Sequence, residues 1–291
     1  MQVAVRPQGA VLGHPIAHSK SPALHAAAYR QLGLDFGYAA QDLQAEELDG
    51  FIRRVRADGN WFGLSVTMPL KTAIVPLLDA LEGAAATLGV VNTVVATGVR
   101  LVGYNTDVAG IVNALRHAGV REQPSAAILG GGGTAVAAVA ALEALGAPAA
   151  DLFVRDAGRS SAAGQAAAVV GLAHRLRPWG EAVGTLAGYD VVISTLPPHA
   201  ADALAADLAP GGTTGRLLLD VAYDPWPSGL AAVWEARGGT IVPGLEMLLY
   251  QAVEQVRLFT SAALDARDAP SGVGSPALIN AMCDAVWLPR R

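Results

Sequence analysis

The chain has 291 residues, 52% of them hydrophobic and 15% charged, with a formal net charge of −5. That length suits two domains of roughly 150 residues each, and the charge balance excludes the basic stripe that binding to a phosphate backbone needs. The one cysteine, Cys283, can form no internal disulfide, which fits a reducing compartment.

At the N-terminus, Arg6 and Pro7 precede an apolar stretch that His14-Pro15 soon interrupts, so no signal-peptide pattern is formed. Residues 10–13 read as a short buried strand. Ser21-Pro22 opens a predicted helix that runs to Leu32, with Gly33 as its stop. Residues 36–43 look extended, and residues 46–56 carry helical spacing with Leu48, Ile52 and Val55 on one face. A strand follows over residues 62–66, and Pro69 marks the first turn of the helix behind it. Residues 90–95 and 100–104 flank Thr97-Gly98 and predict a hairpin. Residues 107–118 are helical in pattern. From Ala126 the chain repeats strand and helix, with strands at 126–129, 152–154, 191–194, 217–221 and 240–242. Such alternation predicts a parallel sheet covered on both faces. Helices at 245–264 and 277–286 close the chain around a loop at 265–275 rich in Gly, Pro and Ser.

The uncharged run from Gln123 to Leu142 has nearly the length of a membrane span of ~20 residues. Its four consecutive glycines divide it into strand, turn and helix instead, so a soluble, cytoplasmic protein without a membrane partner is expected. The spacing Gly130-x-Gly132-x-x-Ala135, after a buried strand and ahead of an Ala- and Val-rich helix, matches a dinucleotide fingerprint. Glycines there permit the turn and let backbone N–H groups approach a pyrophosphate at the helix N-terminus. At the end of the next strand, an acidic residue would bind the ribose 2′-OH of NAD, and an arginine would accommodate the 2′-phosphate of NADP. Arg155 comes first, followed by Asp156 and then Arg159. That order favours NADP, with solvated surface charges as the plain alternative.

Three segments before the glycine turn concentrate polar groups. In the first, residues 13–22, Ser19 and Ser21 stand beside a helix start and can donate to a carboxylate, while ordinary N-capping by Ser21 is the alternative. His14, His18 and His25 lie close by, but no cluster of carboxylate or Cys completes a metal site, so no metal is expected. The second segment is Val66-Thr67-Met68-Pro69-Leu70-Lys71. A cation in the first turn of a helix opposes the macrodipole, which gives Lys71 little reason to stand there for stability alone; a surface lysine is the alternative. The third is Val91-Asn92-Thr93 with Gly103-Tyr104-Asn105-Thr106-Asp107, whose polar groups can align substrate hydroxyls. Asp107 can pair with Lys71 or cap the following helix.

Taken together, these segments resemble the shikimate dehydrogenase family. Residues 13–25 follow its Gly-x-Pro-Ile-x-His-Ser-x-Ser-Pro-x-x-His pattern, and Val66 to Lys71 its Val-Thr-x-Pro-x-Lys. Asn92-Thr93, Asn105-Thr106-Asp107, the glycine turn, Asp220-x-x-Tyr223-x-Pro225 and Gly244-Leu245-x-Met247-Leu248-x-x-Gln251 follow in family order. The resemblance implies two α/β domains: an open substrate-binding domain of residues 1–108 with 245–291, and a Rossmann-type NADP-binding domain of residues 109–244. It implies that Ser19, Ser21, Thr67, Asn92, Asp107, Tyr223 and Gln251 line the substrate site, with Lys71 and Asp107 as the catalytic pair. Gly130, Gly131, Gly132, Gly133, Thr134, Arg155, Val221 and Gly244 would contact the cofactor. The implied activity is reversible NADP-dependent reduction of 3-dehydroshikimate to shikimate in the chorismate pathway of aromatic amino-acid biosynthesis, by a monomer or homodimer.

Three departures from the family pattern stand out. Ser65 replaces the Asn of many members, a shortening expected to loosen a neighbouring contact. Thr134 replaces a common Ala. Val154-Arg155-Asp156 replaces Asn-Arg-Thr, which keeps NAD open as the cofactor. A quinate or dual quinate/shikimate dehydrogenase shares the same motifs. A non-catalytic Rossmann-type regulator would have no need of both Lys71 and Asp107.

Overall fold

In a computed structural model of the chain, residues 6–155, 161–208, 212–264 and 270–291 are described. Asp156, Arg159 and the first part of the loop at 265–275 lie outside them. The chain divides into two compact units, one of Met1–Thr106 with Gln251–Arg291 and one of Asp107–Tyr250. Asp107, Val108 and residues 245–250, expected in the first domain, thus fall in the second unit.

The first unit is built from β1 (Gln8–Gly13), α1 (Ser21–Gln31), β2 (Gly37–Asp42), α2 (Leu48–Asp58), β3 (Trp61–Val66), α3 (Leu70–Ala73), β4 (Ala80–Leu81), α4 (Ala84–Leu88), β5 (Thr93–Thr97) and β6 (Arg100–Tyr104). Its sheet has the order β2-β1-β3-β5-β6-β4. β1 is parallel to β2 and β3, β5 is antiparallel to β3 and β6, and β4 is parallel to β6. β1 is buried from Gly9 to Gly13, as a central strand covered on both faces must be. α1 ends where Gly33 takes a left-handed φ of 69°, the conformation in which a Cβ is costly.

The amphipathic face of α2 supplies Phe51, Ile52 and Val55, which pack with Leu12, Leu64 and Val94 of the sheet. Elsewhere in the same unit Tyr29, Phe36, Phe62 and Phe259 form a ring-on-ring cluster, with Phe36 stacked on Phe62 at 4.8 Å.

The second unit contains α5 (Asp107–His117), β7 (Ala126–Leu129), α6 (Gly133–Ala144), β8 (Ala149–Val154), α7 (Ser161–Val170), β9 (Ala173–Pro178), α8 (Ala182–Thr185), β10 (Val191–Ser194), α9 (Asp202–Asp207), β11 (Leu217–Asp220), α10 (Gly229–Ala236) and β12 (Thr240–Pro243). All six strands are parallel in the order β12-β11-β10-β7-β8-β9. This is the doubly wound arrangement, with its reversal of strand order between β7 and β10. α11 (Gly244–Ala263) begins in this unit and ends in the first, and α12 (Pro276–Ala285) packs against α1. Among the described residues no helix is long and apolar enough to cross a membrane.

Two strands escape the sequence pattern. β4 has only two residues. β9 reads Ala-His-Arg-Leu-Arg-Pro, without the apolar run of a central strand. It is an edge strand, where a terminal proline is tolerated, and it is held electrostatically. Buried Asp151 on β8 accepts from Arg175 Nε at 3.0 Å, Arg177 Nη1 at 3.0 Å and the Tyr189 hydroxyl at 2.6 Å. α3 has only four residues. Its single turn sets up little macrodipole, so the helix-field reason for the placement of Lys71 does not hold.

Gly63 on β3 has no room for a side chain: a Cβ there would stand 2.2 Å from the Phe259 ring of α11 and 2.9 Å from the Val94 carbonyl. Gly63→Ala should therefore overpack this contact and cost about 1–3 kcal/mol. Urea unfolding measures it, and an unchanged midpoint would show that the two elements give way freely.

Candidate active site

In the first unit, the strand directions gather the polar segments at one edge. β1 and β3 are parallel, so the loops bearing Ser19, Thr67 and Lys71 leave from the same end. β5 runs the other way, so the residue that precedes it, Asn92, also lies at that end, and so does the segment after β6. Backbone bonds tie the edge together. The Val66 amide donates to the Asn92 carbonyl at 2.7 Å, the Val91 amide to the Lys71 carbonyl at 2.9 Å, and the His14 amide to the Met68 carbonyl at 3.0 Å. Gly13 packs so closely on Thr67 that a Cβ would lie 2.4 Å from its methyl.

Ser21 is the first residue of α1, and the cap position is Lys20, which makes no side-chain cap bond. Ordinary capping by Ser21 is thereby overturned. The Ser21 amide instead donates to Ser19 Oγ at 3.3 Å, which orients the two serines together.

Asn92 is 2% exposed. Its Oδ1 accepts from the Thr106 amide at 2.7 Å and from Thr93 Oγ1 at 2.8 Å, while Nδ2 donates to Thr106 Oγ1 at 2.9 Å and to Gln251 Oε1 at 3.3 Å. Gln251, from α11, thus joins the same edge. Lys71 is half-buried there. Asp107 is buried as the first residue of α5 in the second unit, where a carboxylate suits the helix start. Tyr223, also of the second unit, is half-buried; burial and the neighbouring Asp224 raise its hydroxyl above the usual phenol range.

Behind this edge lies a hydrogen-bonded group whose members Gln255, Tyr38 and Tyr29 sequence reasoning missed. Gln255, one turn beyond Gln251, accepts from Ser65 Oγ at 2.8 Å and donates to Thr93 Oγ1 at 2.9 Å. Ser65 in turn accepts from the Tyr38 hydroxyl at 2.5 Å. Ser65 is therefore bonded on both sides, and the expected loosening does not occur. His25 stacks on Tyr38 at 3.9 Å and bonds Gln255 Oε1 at 3.1 Å and the Tyr29 hydroxyl at 3.0 Å. Burial pushes its imidazole down to about 4, against a smaller opposing effect of the Gln255 bond. The ring is neutral, with Nε2–H given to Gln255 and Nδ1 accepting from Tyr29. His14 pairs instead with exposed Asp42 at 2.5 Å. Among the described residues no group of three His, Cys, Asp or Glu could hold a metal ion.

In the second unit, the ends of the parallel strands bring Gly130, Arg155, Val221 and Gly244 to one edge. Gly130 has φ +110°, and a Cβ would lie 2.6 Å from Thr195 Oγ1 at the end of β10. Thr195 donates to the Leu129 carbonyl through both its amide and its hydroxyl, each at 2.9 Å, which fixes the turn at the strand-order reversal. Gly132 caps α6 and faces open space, Gly133 begins the helix with Thr134 next, and Gly131 stands half-exposed between the two glycines of the fingerprint. This bare helix start, without an acidic residue in its first turn, fits a dinucleotide pyrophosphate. Gly244 approaches the Val221 carbonyl so closely that a Cβ would meet it at 2.2 Å, a packing reason for glycine. Arg155 donates through Nη2 to the Ala200 carbonyl and lies over the Trp179 ring at 4.9 Å, a partner no motif announces.

A doubly wound unit with a glycine turn at its reversal point, together with a unit that carries a polar strand edge, defines a dinucleotide-dependent α/β dehydrogenase. Residues 11–94 match the family model described as the shikimate dehydrogenase substrate binding domain. The chain is 34% identical to a shikimate dehydrogenase (NADP(+)) of Shouchella clausii, over 87% of this chain and 92% of the relative. It belongs to the shikimate dehydrogenase family. Its fold matches the Mycobacterium tuberculosis shikimate dehydrogenase at TM-score 0.79 and 36% identity, over 96% of this chain and 99% of that one. It also matches a Thermus thermophilus enzyme, solved with NADP(H) and shikimate, at TM-score 0.77 and 31% identity over 96% and 99%.

The buried neutral His25 has a pH consequence. Its folded pKa lies below the unfolded value of about 6.5, so its contribution to stability is full above that pH and is lost as pH falls toward 4. The slope should reach at most about 1.4 kcal/mol per pH unit. Urea melts at pH 7, 5.5 and 4.5 should show this fall in the wild type and a flatter one in His25→Gln. Equal slopes would remove His25 as the cause.

Proposed function

We propose that this protein catalyses the reversible NADP-dependent reduction of 3-dehydroshikimate to shikimate. The observation that carries this reading is the polar edge of the first unit, where Ser19, Ser21, Thr67, Lys71 and Asn92 lie in segments that leave or enter one end of its sheet and Gln251 joins them from α11. In this reading the first unit holds the substrate and the second the cofactor. Ser19 and Ser21 donate to the carboxylate at the start of α1, and charge-assisted bonds of this kind contribute about 1.5–3 kcal/mol each. Thr67, Asn92, Tyr223 and Gln251 orient ring hydroxyls. Gly130 to Gly133, Thr134, Val221 and Gly244 hold the dinucleotide backbone, and Arg155 meets the 2′-phosphate.

Bound NADPH supplies the hydride. Lys71, acting with Asp107 as the catalytic pair, supplies the proton to the reacting oxygen and stabilises negative charge developing there. A net charge of −5 and a single cysteine support a cytoplasmic enzyme acting on a small molecule, as a monomer or homodimer, without nucleic acid or membrane as partner.

Lys71→Ala and Asp107→Ala should each lower kcat by about 10²–10⁴-fold, and the double variant should fall little below the worse single one because the two act together. A folded Lys71→Ala protein with wild-type turnover would end this mechanism. For the cofactor, Arg155→Ala should shrink the NADP preference in kcat/KM while leaving NAD use in place. Equal efficiency with NAD and NADP in the wild type would remove Arg155 from cofactor choice.

A further inference from the structure

Gln255 occupies an unusual place: a carboxamide 1% exposed, in the middle of a helix, with every hydrogen-bonding position of its side chain engaged. Oε1 accepts from Ser65 Oγ at 2.8 Å and from His25 Nε2 at 3.1 Å. Nε2 donates to Thr93 Oγ1 at 2.9 Å and to the Asn92 carbonyl at 3.3 Å. An amide has two donor hydrogens and two acceptor lone pairs, so no capacity is left over. The orientation is fixed as well, because the Asn92 carbonyl can only accept and must face the NH₂ end.

The bonds run head to tail. The Tyr38 hydroxyl donates to Ser65, Ser65 to Gln255, Gln255 to Thr93, and Thr93 to Asn92 Oδ1. Asn92 then turns its Nδ2 toward Thr106 and Gln251. Chains of this kind polarise in one direction, and each member is costly to orphan. Their last link sets which end of the Asn92 amide is pinned to the scaffold (the oxygen) and which is presented as a donor (the nitrogen).

We infer that Gln255 is a positioning residue for substrate recognition, supplying from α11 a buried carboxamide against Ser65 and thereby holding Asn92 with its Oδ1 pinned and its Nδ2 placed to exchange its long 3.3 Å bond to Gln251 for one to a substrate hydroxyl. The geometry is direct. Ser65 is a short side chain on the strand, and Gln255 reaches it from the helix. Residues 251, 255 and 259 form one helix stripe, rising about 6 Å per four residues, and it tracks the strand face of Ser65 and Gly63, spaced about 6.7 Å. Phe259 meets Gly63 and Gln255 meets Ser65. The inference rests on the reading that Asn92 touches substrate.

The test uses steady-state kinetics and thermal melts on Gln255→Met, Gln255→Ala, Ser65→Asn with Gln255→Ala, and Asn92→Ala. Gln255→Met and Gln255→Ala should raise KM for shikimate on the order of tenfold, the effect of one lost hydrogen bond, with KM for NADP unchanged. Ser65→Asn combined with Gln255→Ala should bring KM for shikimate back toward wild type. A folded Gln255→Met protein with wild-type KM for shikimate overturns the inference, and so does a double variant no better than Gln255→Ala. A scaffold role alone would lower the melting temperature and the active fraction without separating the two KM values, and that outcome also overturns it. If Asn92→Ala leaves KM for shikimate unchanged, the reading of Asn92 fails first; if it raises KM and the Gln255 variants do not, only the present inference fails.

Discussion

Every strand of a parallel sheet leaves at the same edge, so loops that carry chemistry gather there without any one of them reaching far. The second unit follows this rule throughout: Gly130, Arg155, Thr195, Val221 and Gly244 each follow the last residue of a strand. The first unit reaches the same result with a mixed sheet. Because β5 reverses direction, the residue before it, Asn92, arrives at the edge that Thr67 and Lys71 leave. A hairpin between β5 and β6 then returns Asn105 and Thr106 to the same place. Antiparallel pairing here brings a second pair of segments to an edge that βα units alone would have furnished with two.

Polar groups at such an edge must still be held, and burial makes the holding strict. An orphaned buried donor or acceptor costs about 1–3 kcal/mol, so Asn92, Thr93, Thr106, Gln251 and Gln255 satisfy one another across two elements far apart in the chain. The aromatic layer behind them performs a second task. His25 stacked on Tyr38, with Tyr29 and Phe259 around it, keeps the imidazole neutral and therefore able to donate from one nitrogen and accept at the other. The polar edge and the aromatic core are thus joined through Gln255 and Ser65.

Much of this was readable from residues alone, for a physical reason. Glycine turns, Ser-x-Ser before a proline and Asn-Thr-Asp after a strand are local patterns, and a local pattern carries its geometry with it. The parallel second sheet was legible from its buried runs, as with residues 126–129 and 191–194. β9 was not, because its pairing depends on Asp151 gripping two arginines rather than on apolar alternation. Gln255 looked like any polar residue on a helix of residues 245–264. Its role depends on contacts 162 and 190 residues away in sequence, with Thr93 and Ser65, and no local pattern encodes them. Trp179 beneath Arg155 escaped for the same reason. The helix-field argument for Lys71 failed on length alone, since a single turn supplies little field.

In the proposed function, the polar edge of the first unit takes a carboxylated cyclic alcohol of the shikimate type while the second unit selects NADP. One set of initial-rate measurements tests it most directly: the purified protein with shikimate or quinate as substrate, each with NADP and with NAD. Shikimate with NADP should give the highest kcat/KM. A higher value for quinate with NAD would contradict it, and would mean that the edge built around Asn92 and Gln251 accommodates the extra ring hydroxyl and that Arg155 does not choose the cofactor.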